Sequence, residues 1–409
     1  MVVPVGWESR PIGDFLDFKN GLNKGKEYFG IGTPIVNYMD VYQHNGLHAD
    51  DVQGRVLLNC EEIRRFAVRK GDVFFTRTSE TSDEVGISSV LLDDLPDGVF
   101  SGFVLRGRPR SGELLPEYCK YCFSTREVRE AIIRSCTYTT RALTNGSILS
   151  HISILVPSIE EQAEIAHALD DLENLLCSLT ALRNKQVSIR AGLAGKLLVG
   201  TERTSGYFEE WEDVFLDSLG EFKKGSGISR AEAGTGLLPC IRYGEIYTSY
   251  DAYTFKTITG ISAEVATKAA KIALGDIVFA CTGETKKDIG KCVAYMSDQI
   301  GYAGGDTQIF TPNPRVDPVF LSLLLNSQEV QAQKAARGQG DAIVHISADS
   351  LKAIQLRLPP FEEQRMIAEV LMDFDNEIAA TECKLKKYKQ IRQGVMRELL
   401  TGHIRLVQE

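Results

Sequence analysis

Pro157-Ser158-Ile159-Glu160-Glu161-Gln162 and Pro359-Pro360-Phe361-Glu362-Glu363-Gln364 stand 202 residues apart in a chain of 409, and each opens a long helical pattern. Behind the first, apolar residues recur at Ile165, Leu169, Leu172, Leu176, Leu179, Leu182, Ile189, Leu193 and Leu197. Behind the second they recur at Ile367, Leu371, Phe374, Ile378, Leu385, Tyr388, Ile391, Val395 and Leu399. Steps of three and four residues predict one buried stripe along each helix, over 160–198 and 362–400. Ser158 and Glu161 have the spacing of a capping box, and the acidic pairs suit the positive end of a helix. Gly200 and Gly402 are placed to stop the two helices. At 1.5 Å per residue each would run about 58 Å. Helices of that length in a globular chain are expected to pair with one another.

Outward from these openings the whole chain proves to be duplicated, a feature to be sought before any single motif. Trp7-Glu8 matches Trp211-Glu212. Phe18-Lys19-Asn20-Gly21 matches Phe222-Lys223-Lys224-Gly225, and Lys70-Gly71-Asp72-Val73-Phe74 matches Leu274-Gly275-Asp276-Ile277-Val278. Thr78-Ser79-Glu80-Thr81 matches Thr282-Gly283-Glu284-Thr285 at the same offset of 204. Between 159–178 and 361–380, 8 of 20 positions are identical, which chance matching would not sustain in register.

Each half begins with a β-rich stretch. Its short runs include Pro34 to Tyr38, Val73 to Thr76 and Val85 to Val90, bounded by Gly and Asp. A helix is expected to open near Pro116 and again near Pro318, because proline suits the first helical turn. A last short strand, Ile152 to Pro157 or Ile354 to Pro359, leads into the long helix. The expected fold class is therefore α+β: two β-rich domains in pseudo-two-fold repeat, separated by two long antiparallel helices. The expected domains are 1–157 and 201–359, with the helices in 158–200 and 360–409.

Composition sets bounds on function. A hydrophobic fraction of 43% with 25% charged residues describes a globular protein. No apolar run is long enough for a membrane span, and the start of the chain lacks the features of a secretory signal. Nine scattered cysteines suggest reduced thiols and a cytoplasmic setting. The net charge of -9, with no segment basic, weighs against extensive phosphate neutralisation by this chain alone. DNA binding would then need local clusters, or a partner that supplies phosphate contacts.

Antiparallel pairing of the two helices would relate the two β-rich domains by a pseudo-two-fold axis, as duplex DNA relates its strands. The order domain, long helix, domain, long helix resembles the specificity subunits of type I restriction–modification systems. So do the matched Trp-Glu starts, the Gly-Asp-hydrophobic strand motif and the Pro-x-x-Glu-Glu-Gln openings. The resemblance covers nearly the whole chain. It implies a non-catalytic, sequence-specific DNA-binding subunit whose two target-recognition domains each read half of a bipartite, asymmetric duplex target. It also implies that the helices dock two methyltransferase subunits, through them restriction subunits, and fix the gap between half-sites. S-adenosylmethionine, ATP and magnesium would belong to those partners, with no cofactor or metal in this chain.

Two readings of another class compete: a stand-alone DNA methyltransferase or nuclease, and a coiled-coil adaptor without nucleic acid. Leu358-Pro359-Pro360-Phe361 is one residue from the Asn/Asp-Pro-Pro-Tyr/Phe motif of adenine methyltransferases. Leu358, however, cannot bond an exocyclic amino group, so a strand-to-helix junction is expected there. Cys119-x-x-Cys122 aligns with Leu321 and Leu324 in the repeat, which points to buried helix positions. Asp17-Phe18-Lys19 and Glu221-Phe222-Lys223 have half of a nuclease pattern without further carboxylates. Candidate DNA contacts are Arg77, Thr78, Ser79 and Thr81, with Thr282, Thr285, Lys286 and Lys287 in the matching loop. Tyr38 and Tyr42, with Arg242, Tyr243 and Tyr247, combine aromatic and polar groups. Lys24, Lys26, Lys223 and Lys224 are candidates for phosphates.

Overall fold

A computed structural model describes residues 3–138, 140–204, 206–340 and 343–406. The chain forms two compact units, one from residues 1–181 with 383–409, the other from 182–382.

The first unit is built on a five-stranded sheet in the order Leu16–Asn20, Val104–Pro109, Val73–Thr76, Ser88–Leu91, Gly46–Leu47. All neighbours are antiparallel except the last pair. The second unit repeats that order with Gly220–Lys224, Thr307–Pro312, Ile277–Ala280, Cys292–Tyr295 and Tyr253–Thr254, its last pair again parallel. The Gly-Asp motif owes its recurrence to backbone geometry. Gly71 and Gly275 hold φ of 88° and 90°, a left-handed conformation that other residues adopt at a cost. The following Asp72 and Asp276 are buried and accept from the backbone N–H of Arg69 and Ala273, each at 2.8 Å. The central strands Val73–Thr76 and Ile277–Ala280 are buried along their whole length, as strands covered on both faces must be.

Helices Pro116–Cys122 and Pro318–Leu325 cover one face, each with proline in its first turn. Cys119 and Cys122 are buried there, as are Leu321 and Leu324, which fits packing positions. Strand Ser153–Val156 pairs with Glu8–Pro11, and Gln355–Leu358 with Glu212–Phe215, tying the end of each β-rich stretch to its start. Leu358 is buried in that strand, so Pro359 and Pro360 form the strand-to-helix junction.

The long helices run Ile159–Leu197 and Phe361–Leu400. They pack antiparallel: in the first unit Arg392 meets Glu173 at 2.8 Å, and in the second Arg190 meets Asp375 at 2.9 Å. The expected continuous apolar stripe is corrected at its centre. Leu182 and Ile189 are exposed at 46% and 45%. Polar groups hold the helices together around them: Arg183 bonds Glu382, and Thr381 donates to Gln186 at 3.0 Å. Apolar burial is heaviest at the ends, where Ile165, Leu169, Leu197, Ile367, Leu371 and Leu399 enter the cores, and it reaches inward as far as Leu176.

The helix openings also differ from the expected capping box. Ser158 does accept from the Glu161 N–H at 3.3 Å, but the Glu161 carboxylate is turned inward. It accepts from the Trp7 indole at 2.9 Å and from Arg405 at 2.6 and 2.8 Å. Glu363 does the same with Trp211 at 3.2 Å and Arg203 at 2.7 Å twice. Gln162 accepts from Leu115 N–H at 2.9 Å and donates to the carbonyls of Glu113 and Pro157 at 2.8 and 3.1 Å. Gln364 repeats this with Asp317 N–H and the carbonyls of Arg315 and Pro359. Glu-Glu-Gln is thus a clamp between helix and sheet. A carboxylate or amide buried this deeply is tolerated because its partners are complete.

Candidate nucleic-acid interface

The three predicted segments of the first half meet at one turn, Phe100 to Phe103, which precedes strand Val104–Pro109. Leu22 donates to the Phe100 carbonyl at 2.9 Å, and Gly102 donates back to Leu22 at 2.7 Å. Ser101 donates to Val36 at 2.9 Å, and Arg77 N–H donates to the Phe103 carbonyl at 3.0 Å. The lysine-bearing segment, the tyrosine-bearing segment and the Arg77 loop therefore converge on a feature that the sequence reading passed over. A Cβ on Gly21 would lie 2.0 Å from the Ser101 carbonyl oxygen, so this close approach requires glycine.

The second half builds the same convergence at Ala303 to Asp306. Ser226 donates to Ala303 at 3.2 Å, Gly304 to Ile241 at 3.0 Å, and Cys281 to the Asp306 carbonyl at 2.9 Å. Gly225 meets the same restriction as Gly21, with the Gly304 carbonyl oxygen 2.2 Å from an added Cβ. Because the hydrogen bonds are backbone to backbone, the arrangement survives differences in side chain between the halves.

Within this frame the candidate residues divide. Lys26, Thr81, Lys223, Lys224, Tyr243, Lys286 and Lys287 are exposed, and their side chains make no hydrogen bond or ion pair among the described residues. These seven are available to a partner. Lys24 pairs with Glu62 at 2.7 Å and lies over the Tyr28 ring. Tyr38 and Tyr42 stack at 5.9 Å, and the Tyr42 hydroxyl donates to Glu84 at 3.1 Å; that hydrogen bond raises the Tyr42 phenol above its ordinary value. Both tyrosines lie on helix Tyr38–Gln43, because strand Phe29–Val36 stops where Asp40 caps the Asn37 N–H at 2.8 Å. The expected extended run through Tyr38 is corrected accordingly.

Arg242 grips the buried Glu245 with two hydrogen bonds, at 3.0 and 2.9 Å, at the start of helix Tyr243–Thr248. Tyr247 packs against the core, and burial raises its phenol. Arg77 donates to the Gly102 carbonyl at 3.3 Å, so its guanidinium supports the turn. Thr78 and Ser79 form a short strand with Ala142–Leu143, and Ser79 is buried with its hydroxyl on Glu84. Ser79 is accordingly unsuited to a base contact. Thr282 lies beside His345 at 3.1 Å, and Thr285 donates to Asp288 at 2.8 Å. The run Val85 to Val90 resolves into a turn and strand Ser88–Leu91.

Phe103 and Asp306 occupy corresponding places on the two turns, and no motif marks either of them in the sequence. Only the register of the neighbouring strands could have pointed to them. Among the described residues, no group of three or more His, Cys, Asp or Glu side chains is placed to hold a metal ion. No helix among them is long and apolar enough to cross a membrane.

A family model, the type I restriction modification DNA specificity domain, matches the chain twice, over residues 4–188 and 208–390. The chain is 23% identical over 433 residues to the type I restriction enzyme MjaVIII specificity subunit of Methanocaldococcus jannaschii, covering 99% of this chain and 94% of that one. It is 29% identical over 161 residues to the type I restriction enzyme EcoKI specificity subunit of Escherichia coli, covering 38% of this chain and 33% of that one. In fold it is similar to the type I restriction–modification S subunit from M. genitalium, with a TM-score of 0.58, 16% identity and 96% of each chain covered.

Proposed function

Because this chain belongs to the type I restriction modification DNA specificity family and carries that domain twice, we propose that its two turn-centred surfaces read the two halves of a split DNA target. As a specificity subunit it is a non-catalytic component of its complex. The observation that carries the assignment of the surfaces is their repetition: in each unit, three separate segments are hydrogen-bonded to one turn beside exposed, unengaged lysines. Lys26 in the first unit and Lys223, Lys224, Lys286 and Lys287 in the second supply phosphate contacts. The turns and the loops after strands Val73–Thr76 and Ile277–Ala280 face base edges. Five lysines are few for a DNA-binding protein of net charge -9, which fits a chain whose partners share the phosphate contacts.

The partners follow from the same premise. Leu182 and Ile189, seven residues apart on the first long helix, are exposed on a helix whose own pairing is polar at that level. Methyltransferase subunits, two per chain, dock on the long helices and bring S-adenosylmethionine. Restriction subunits, with ATP and magnesium, join through them. On this reading the protein works in the cytoplasm, on DNA that the methyltransferase subunits mark.

The test is to co-express the chain with its methyltransferase subunit and map methylated adenine across a genome. A split, asymmetric motif is the expected result. Methylation without a sequence motif, or a motif unchanged when the loops after the two central strands are exchanged for those of another such subunit, would sink the proposal.

A further inference from the structure

The two turns are alike in backbone and opposite in chemistry. Val104 pairs with Thr76, and Thr307 pairs with Ala280, so Phe103 and Asp306 stand one residue before equivalent strands. Each presents its carbonyl to the equivalent donor, the N–H of Arg77 or of Cys281.

Phe103 is 61% exposed. A lone exposed apolar residue needs no explanation by itself. This one, however, lies where three candidate segments meet, on a turn fixed by at least four backbone hydrogen bonds. Its ring is presented on a rigid base. Asp306 is exposed too, with its backbone at φ 59°. Glycine would hold that conformation without strain, while a side chain costs free energy. The strained residue nonetheless carries a carboxylate, and among the described residues no hydrogen bond or ion pair uses it.

Phosphates repel a carboxylate, so Asp306 gains nothing from the DNA backbone. In the major groove it accepts from the amino group of cytosine or adenine and disfavours the acceptors of guanine and thymine. A phenyl ring has no such polarity. Its favourable base-edge partner is the thymine C5-methyl group. Resting on the DNA-reading function above, we infer that Phe103 and Asp306 are specificity-determining residues at corresponding points of the two units, Phe103 reading a thymine methyl and Asp306 an amino-bearing base edge. The target is therefore asymmetric at corresponding positions of its two halves.

The experiment uses the full chain in complex with its methyltransferase subunit, and binding selection from a duplex library randomised across the target. Phe103→Ala is expected to lose preference at one T·A pair in one half. Asp306→Ala is expected to lose it at one C·G or A·T pair in the other. Each loss should be about 5- to 150-fold, the ordinary cost of one mismatched pair. Asp306→Gly relieves the left-handed backbone and must behave as Asp306→Ala, which separates lost contact from lost folding. Replacing the thymine read by Phe103 with deoxyuridine should weaken the parent complex to the level of Phe103→Ala and leave that variant unaffected. A parent complex that selects a split motif while all three variants select it unchanged would overturn this inference alone. A parent complex with no sequence preference would overturn the DNA-reading function, and this inference with it.

Discussion

Replacing Gln162 tests whether the helix–sheet clamp is a source of stability or an accident of packing. The side chain is fully buried and makes three hydrogen bonds, to Leu115 N–H and the carbonyls of Glu113 and Pro157, at 2.8–3.1 Å. At about 1 kcal/mol net for each, their loss costs roughly 3 kcal/mol. A leucine of similar volume recovers about 1 kcal/mol from replacing a polar head with an apolar one. Gln162→Leu should therefore destabilise the first unit by about 2 kcal/mol. Gln162→Glu keeps the acceptor for Leu115 but sets a carboxylate against two carbonyl oxygens, so at pH 7 it should be the worse variant. Burial and those carbonyls raise the folded-state pKa of the new carboxyl above its unfolded value of about 4.3. The protonated form, which can donate to one carbonyl, is thus favoured in the folded state. Stability of the Glu variant must rise as pH falls from 7 towards 5, whereas that of the Leu variant has no such dependence. The two tryptophans, Trp7 and Trp211, lie in different units. In a Trp211→Phe background, urea unfolding followed by fluorescence reports on the first unit. A cost below about 0.5 kcal/mol for Gln162→Leu, the level of an ordinary surface change, would refute the clamp. So would a Glu variant as stable as the Leu variant at pH 7.

Lys334 is fully buried with its ammonium on the Gly290 carbonyl at 2.7 Å, and burial lowers its pKa to about 8. Between that value and its unfolded value of about 10.4 the unfolded chain binds the extra proton, so stability of the second unit should rise with pH above 8. Lys334→Met should abolish that rise in unfolding titrations between pH 8 and 9.5; an unchanged slope would show that the lysine is not its source. Replacing Lys286 and Lys287 together by alanine should weaken DNA binding and reduce the slope of log K against log salt by about 1.8. An unaltered salt slope would show that neither lysine meets phosphate. Pro359→Ala with Pro360→Ala should leave methylation by the assembled complex largely intact. Loss of turnover with normal assembly and DNA binding would restore the near-miss motif as a catalytic one.

The sequence carried the architecture because the duplicated signals are local. Proline in the first turn at 116 and 318, glycine before aspartate at 71 and 275, and Glu-Glu-Gln at both helix openings each act within a few residues. What it did not carry is non-local. The central exposure of Leu182 and Ile189 depends on ion pairs to the other helix, which apolar spacing cannot reveal. Ser79 reads as an open loop residue until Ala142–Leu143 pairs with it. Glu161 resembles a cap until Trp7 and Arg405 claim its carboxylate. The turns at 100–103 and 303–306 share almost no side chains, so no motif marks them; only the backbone bonds make them equivalent. Arg203 and Arg405 were within reach, since they keep the same offset of 202 as the glutamates they bind.

That arginine pair has a consequence for how the chain is made. Arg203 closes the second unit on Glu363, both within the continuous stretch 182–382. Arg405 closes the first unit on Glu161 across a separation of 244 residues, and reaches Val5 across 400. Contacts between remote parts of a chain form late, and a nascent chain can form only those already synthesised. On the ribosome, the half translated second has all of its own residues before the half translated first. A released chain truncated after residue 382 should accordingly resist protease over 206–340, while 3–138 is more sensitive than in the full chain. The unit whose residues begin first is thus the one whose residues are completed last.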